Sequence, residues 1–473
     1  MARAELRSPS FRRCLGPVGR RDILQAGALG ALGLGLEGLW SAAARGDTAR
    51  ANASEHGPGF GSAKRCILLF QWGGPSHLDT LDPKPNAPAE VRGEFRAIDT
   101  VVPGIQISEL LPQTAARMDR LTVLRSLTHN DPAHLSSAHA AYTGHLAPNV
   151  VSDKDPPSPN DTPHLGSVVA RMRATSGGLP PFVMMPWKVF HPAAPGGVAP
   201  GQHGGWLGAS YDPFLAAGDP SKPGWSIPEL GLVDGVQTGR LNDRRSLLAS
   251  LDGARRSLDV VAERTSMDEH QARAFGLLAS SESRAAFAIT DESPETRARY
   301  GQNIHGQCVL LARRLIERGV PLVAVNWHND GGNFWDTHGN NFNRLRNDLC
   351  PPSDQALAAL LDDLDERGLS DDTLVVWVGE FGRNPTINKN AAGRDHWPYC
   401  FSGMLAGAGV KRGYVHGASD RIGGRPAESP TSPRDLVATI YHALGIPVDG
   451  RLPDRSGRPM PYCDGEAVLP LFG

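Results

Sequence analysis

Leu374-Val375-Val376-Trp377-Val378-Gly379-Glu380-Phe381-Gly382-Arg383-Asn384-Pro385 leads through a polar loop to Gly393-Arg394-Asp395-His396-Trp397-Pro398. The apolar run has strand length and almost no interruption, the pattern of a parallel strand buried on both faces. Glu380 follows it at once. Open α/β sheets bind their ligands at the carboxyl ends of the strands. This one segment therefore predicts a sheet edge bearing Glu380, Asp395 and His396.

Working outward, other apolar runs repeat the arrangement. Cys66 to Gln71 reads as a first buried strand that enters Gly73-Gly74-Pro75 and then offers His77, Asp79 and Asp82. Leu121 to Leu124 reads as a second strand, ahead of Arg125 and a segment with four histidines, His129, His134, His139 and His145. His134 and His139 are five residues apart and would share a helical face poorly. Phe182 to Met185 and Pro321 to Asn326 read as further strands, and the latter empties into His328, Asp330, Asp336 and His338. Phe401 to Ala406 is expected at the sheet edge.

Between the strands the apolar spacing turns helical. Helices are expected over residues 108–119, 165–172, 247–281 and 295–318, from Ser353 as a cap, and from Ser432-Pro433 to Gly445. In the fourth of these, Ile304, Cys308, Leu311 and Leu315 form the buried stripe, with Arg313, Arg314, Glu317 and Arg318 on the wet side. Residues 192–231 are rich in Gly and Pro and are expected as an insertion over the functional edge. Strands alternating with helices predict one α/β domain over 64–473, with a largely parallel central sheet.

The ends and the composition bound the function. Arg20-Arg21 precedes the short apolar run Ala26 to Leu36, and Ala42-Ala43-Ala44 supplies small residues for cleavage. That is the pattern of a twin-arginine export leader over 1–44, followed by a linker over 45–63. The protein is then expected in the periplasm or outside the cell, with no membrane association after cleavage. The 473-residue chain carries a formal charge of −2. Loss of the leader leaves 42 basic and 47 acidic residues, so nothing points to nucleic acid as a partner. Five cysteines remain, and one disulfide among Cys350, Cys400 and Cys463 is open to an oxidising compartment.

Three strand ends thus deliver carboxylate with imidazole: His77 with Asp79, Asp336 with His338, and Glu380 with Asp395 and His396. Oxygen and nitrogen ligands without thiolates suit Zn²⁺, Mn²⁺, Fe or Ca²⁺. Such an ion acidifies bound water. Arg125, Arg383 and Arg394 stand beside these clusters, where a guanidinium can clamp an anion by forked hydrogen bonds. The competing account is a hydrogen-bonded polar network that braces loops.

The twin arginines, Gly73-Gly74-Pro75-Ser76-His77-Leu78-Asp79-Thr80, Arg125-Ser126, Tyr142-Thr143-Gly144-His145, Gly379-Glu380-Phe381-Gly382-Arg383 and Gly393-Arg394-Asp395-His396-Trp397-Pro398 together resemble an exported bacterial family, domain of unknown function 1501. The resemblance implies a branch of the alkaline phosphatase and sulfatase superfamily, hence an alkaline phosphatase-like sheet with helices on both faces. Departures from that superfamily are visible. Gln71-Trp72 stands where active sulfatases carry a metal-binding Asp pair, and His134 falls where their nucleophile is expected. Glu380-Phe381-Gly382 replaces Asp-His-Gly, and His396 resembles the later metal-binding His. What the resemblance leaves is a single divalent-metal site (Zn²⁺, Mn²⁺ or Ca²⁺) using Asp336, His338, Glu380 and His396 with Asp79 or His77. The expected activity is hydrolysis of a sulfate or phosphate ester, a polysaccharide ester among the substrates, with Arg383 or Arg394 holding the anion. The rival is an inactive relative that binds an extracellular glycan or a partner protein.

Overall fold

The computed structural model describes residues 56–173, 175, 178–227, 281–327, 334–389 and 391–473. The leader, most of the linker, the helix expected over 247–281 except Ser281, and the end of the 192–231 insertion lie outside these residues, as do His328 and Asp330. Gly57 to Gly473 forms one unit.

Eight strands build the central sheet: β1 (Arg65–Phe70), β2 (Leu121–Leu127), β3 (Phe182–Met185), β4 (Phe214–Leu215), β5 (Leu322–Asn326), β6 (Thr373–Val378), β7 (Phe401–Ala406) and β8 (Tyr414–His416). Their order is β8-β2-β7-β6-β1-β5-β3-β4. All run the same way except β7, which is antiparallel to both β2 and β6. Consecutive residues of β1 from Cys66 to Phe70 are buried, odd and even alike, so both faces are covered. Register identifies the covers. Leu69 aligns with Trp377, so Phe70 and Trp377 project to opposite faces. Phe70 meets Tyr142 of helix α1 (His134–Thr143) with ring centroids 4.3 Å apart. Trp377 Nε1 donates to Ser353 Oγ at 3.1 Å, in a helix on the other face, Cys350–Glu366.

Several expectations are corrected. Residues 108–119 hold only a four-residue helix, Pro112–Ala115, and a 3-10 turn. Residues 295–318 are two helices, Pro294–Tyr300 and Ile304–Glu317, broken at Gly301 with φ 98°. Arg313 and Arg314 are buried rather than wet, because Arg313 ion-pairs with Glu292, Glu317 and Asp363 at 2.9, 2.8 and 2.7 Å. Ser353 sits inside its helix and is buried. β7 is an interior strand, not an edge. The Gly/Pro-rich insertion adds β4 to the sheet. All five described cysteines are buried and free, so none of Cys350, Cys400 and Cys463 forms a disulfide. By contrast, the last helix, Pro433–Ala443, starts at Ser432-Pro433 as expected, and Ser432 caps it in a capping box with Asp435.

Candidate functional site

The parallel strands end at one edge, where the segments that follow them meet around the carboxylate of Asp336. After β1 the chain turns through Gly73, whose φ is 108°. A Cβ there would lie 2.3 Å from the Asp336 backbone nitrogen. Only glycine lets the loop carrying Asp336 sit this close. The Gly73 amide also donates to both Glu380 oxygens, at 2.9 and 3.2 Å. Trp335 N donates to Trp72 O at 2.9 Å, which seats Asp336 beside the turn. The turn after β6 supplies Glu380, β2 leads to His134 at the start of α1, and the segment after β3 supplies His191.

Asp336 is the hub. Its Oδ2 faces His134 Nε2 at 3.6 Å and His191 Nε2 at 3.5 Å. Its Oδ1 faces Arg383 Nη2 at 2.7 Å and the Nε2 atoms of His338 and His396, each at 3.3 Å. Phe381 lies against His134 and His396, with centroids 4.8 and 4.6 Å away. Its ring lines the centre with apolar surface.

Three of the four imidazoles are held from behind. His134 Nδ1 lies 2.6 Å from Glu380 Oε1, His338 Nδ1 3.0 Å from Asp395 Oδ1, and His396 Nδ1 2.7 Å from Pro132 O. Those oxygens accept, so each Nδ1 donates, and in the neutral ring each Nε2 turns a lone pair toward Asp336. His338 Nε2 and His396 Nε2 are only 2.8 Å apart. Two lone pairs and a carboxylate converging on one point form the donor set of a cation site, and such backing oxygens are the usual outer shell of metal-bound histidines. Two ligand sets result, His134–His191–Asp336 and Asp336–His338–His396.

The electrostatics follow the same hub. Burial disfavours charge on His134, but Asp336 and Glu380 outweigh it and raise its pKa to about 9. A proton therefore occupies Nε2 at neutral pH in the ion-free protein, and metal binding would release it. Burial, with the positive charges of His134 and Arg383, pushes His396 down to about 3. Burial alone would raise Asp336, yet the Arg383 guanidinium and the protonated His134 beside it hold it far below the carboxylate range.

Of the residues expected from the sequence, Asp336, His338, His396 and His134 converge. Asp395 is more than half exposed and reaches the centre through His338. Glu380 is fully buried and reaches it through His134. His77 and Asp79 stand elsewhere. His77 Nε2 is 2.8 Å from Gly423 O. Asp79 takes Arg394 Nε at 2.7 Å, Ser76 Oγ at 2.6 Å and Asn341 Nδ2 at 3.0 Å.

The arginines expected to clamp an anion are occupied. Arg383 donates to Gly74 O at 2.9 Å, Arg394 O at 3.2 Å and Gly73 O, besides Asp336. Arg394 donates to Asp79, to Val91 O at 2.8 Å, and to Asn384 and Pro385 carbonyls. Both are fully buried, so they brace loops. Arg125 donates to Leu81 O and Gln106 O at 3.0 and 2.6 Å. His191 had no local pattern to mark it; its only signal was its place shortly after the strand Phe182 to Met185.

A largely parallel α/β sheet whose strand ends gather one carboxylate and four imidazoles defines an α/β protein with a candidate metal centre. Residues 63–472 match the family described as "Protein of unknown function (DUF1501)", and the chain belongs to that family. No curated protein matches it. Solved structures similar to it include Ps i-CgsB in complex with k-i-k-neocarrahexaose, at 13% identity over 86% of this chain and 75% of that one, TM-score 0.39. The lipoteichoic acid synthase LtaP from Listeria monocytogenes shares 9% identity over 89% of this chain and 81% of its own, TM-score 0.36. The phosphonate monoester hydrolase SpPMH from Silicibacter pomeroyi shares 13% over 87% and 76%, TM-score 0.37.

Proposed function

We propose that this chain is an exported, metal-dependent hydrolase of phosphate or sulfate esters, built on an alkaline phosphatase-like sheet and delivered through its twin-arginine leader. The observation that carries it is the pair His338 Nε2 and His396 Nε2, 2.8 Å apart with both rings backed by acceptors. Asp336, His338 and His396 would hold a divalent ion, which supplies acidified water and offsets ester charge. The chain's own residues do the rest. Arg383 pins Asp336 to the Gly73-Gly74 turn, Asp395 and Pro132 O fix the two rings, and Phe381 covers the His396 ring with apolar surface.

Direct attack by water fits the side chains near His134, where the superfamily keeps its nucleophile. Ser137 Oγ is engaged by Asp131 O at 2.8 Å and by Ala133 O, and Ser136 Oγ accepts the Ser152 amide at 3.1 Å. The same occupied serines favour the second reading, a glycan- or protein-binding relative without turnover. A panel of aryl phosphate, phosphonate and sulfate esters, run with Zn²⁺, Mn²⁺ and Ca²⁺ in turn, separates the two. Ion-dependent hydrolysis lost in Asp336→Asn supports the enzyme. Ion binding with no turnover of any ester leaves the binding protein.

A further inference from the structure

The two ligand sets share Asp336, and they use different oxygens of it. Oδ1 serves His338 and His396, whereas Oδ2 faces His134 and His191. Resting on the metal-centred reading above, we propose a second divalent-ion site made of His134 Nε2, His191 Nε2 and Asp336 Oδ2, with the Asp336 carboxylate bridging two ions.

Three observations support it independently of the first site. His134 is 1% exposed, and its Nε2 has no hydrogen-bond partner among the described residues. A buried ring nitrogen left so carries a desolvation cost unless a ligand meets it. Second, His134 is backed by Glu380, itself fully buried and fixed by the Gly73 amide. That carboxylate–imidazole chain orients Nε2 toward Oδ2 and raises its basicity. Third, the His134 and His191 rings stack with centroids 4.7 Å apart and planes 24° from parallel, both with Nε2 on the Asp336 side.

The two sites differ in quality. His338 and His396 have Nδ1 committed as donors, but His191 Nδ1 accepts the Ala193 amide at 3.2 Å. Coordination through His191 Nε2 moves the ring proton to Nδ1 and breaks that contact, so the second ion binds more weakly than the first.

Titration of the chelator-treated full chain with Mn²⁺, followed by calorimetry and by electron paramagnetic resonance, tests this. Two ions per chain are expected, a tight and a weak one, and the filled protein shows the spectrum of an exchange-coupled pair. His191→Ala should weaken the second ion by about 10-fold or more and abolish the coupled signal while sparing the first. His134→Gln should do the same, with circular dichroism verifying the fold. One ion per chain with an uncoupled signal, unaffected by His191→Ala, overturns the second site and leaves the first intact. No ion at all overturns both.

Discussion

Asp79 and Asp336 are each close partners of a histidine in sequence and each follow a strand, yet the fold gives them opposite surroundings. Asp79 is matched by a guanidinium, a hydroxyl and an amide, all in hydrogen-bond range. Asp336 receives one guanidinium and is otherwise ringed by imidazoles at 3.3 to 3.6 Å. A carboxylate saturated by fixed donors is a structural joint, whereas one ringed by ring nitrogens backed by acceptors keeps room for an ion. The difference lies in the partners.

The largest effect should come from breaking the saturated joint. Arg394→Met leaves Asp79 buried without its counter-charge, and the denaturant midpoint should report a loss of about 3–5 kcal/mol. Arg394→Lys should rescue little, since one ammonium cannot reach both Asp79 oxygens and three carbonyls. A loss below about 1 kcal/mol would remove Asp79 from the structural class. The matching change at the other carboxylate, Asp336→Asn, strips the buried Arg383 of its counter-charge but leaves it three carbonyl partners, and should cost about 3 kcal/mol in chelator, the low end of that range. In wild type, ion at a hundred times Kd should add about 2.7 kcal/mol, and the Asn variant should lose that gain.

A third buried group sharpens the contrast. His164 is fully buried with no carboxylate partner among the described residues, and burial, aided by the charges of His203 and Lys188, pushes it down to about 3. The unfolded chain takes up a proton near pH 6.5, while the folded one refuses it until about 3. Stability from this group is therefore complete above pH 6.5 and is lost as the pH falls toward 3, at about 1.4 kcal/mol per unit. His164→Asn, which can still accept the Gly166 amide that His164 caps at 2.9 Å, should flatten the acid limb of a stability–pH curve by that slope. An unchanged slope would mean that the ring is protonated in the fold.

The smallest stability change belongs to Asp395→Ala. Its ion pair with His338 is half exposed and should be worth under about 1 kcal/mol. Ion affinity should nevertheless fall about 10-fold by calorimetry, because His338 loses the group that orients it. Equal affinity in the variant would place Asp395 outside the centre.

The sheet was legible wherever burial on both faces left an uninterrupted apolar run, as in Leu374–Val378, Phe182–Met185 and Leu322–Asn326. So was part of the centre, since Asp336, His338 and His396 follow such runs closely. What was not legible depends on pairing at long range. Nothing near Arg394 says that its guanidinium goes to Asp79, 315 positions away. Nothing near Glu380 distinguishes a ligand from a residue that backs His134. Ser353 resembles a cap because Trp377, its partner, lies on a distant strand. The branch of Arg313 away from solvent likewise required Glu292 and Asp363, which no helical wheel displays.

The antiparallel β7 has a consequence for the order of events in the cell. β2, which carries the start of α1 and thus His134, touches only β7 and β8 within the sheet. Those strands leave the ribosome more than 270 residues after β2 does. A nascent chain can pair β1 with β5 before β6, β7 and β8 have been made, but it holds β2, and His134 after it, without a partner in the sheet until its last quarter is being synthesised. Any chaperone that guards this protein must wait for nearly the whole message to be read.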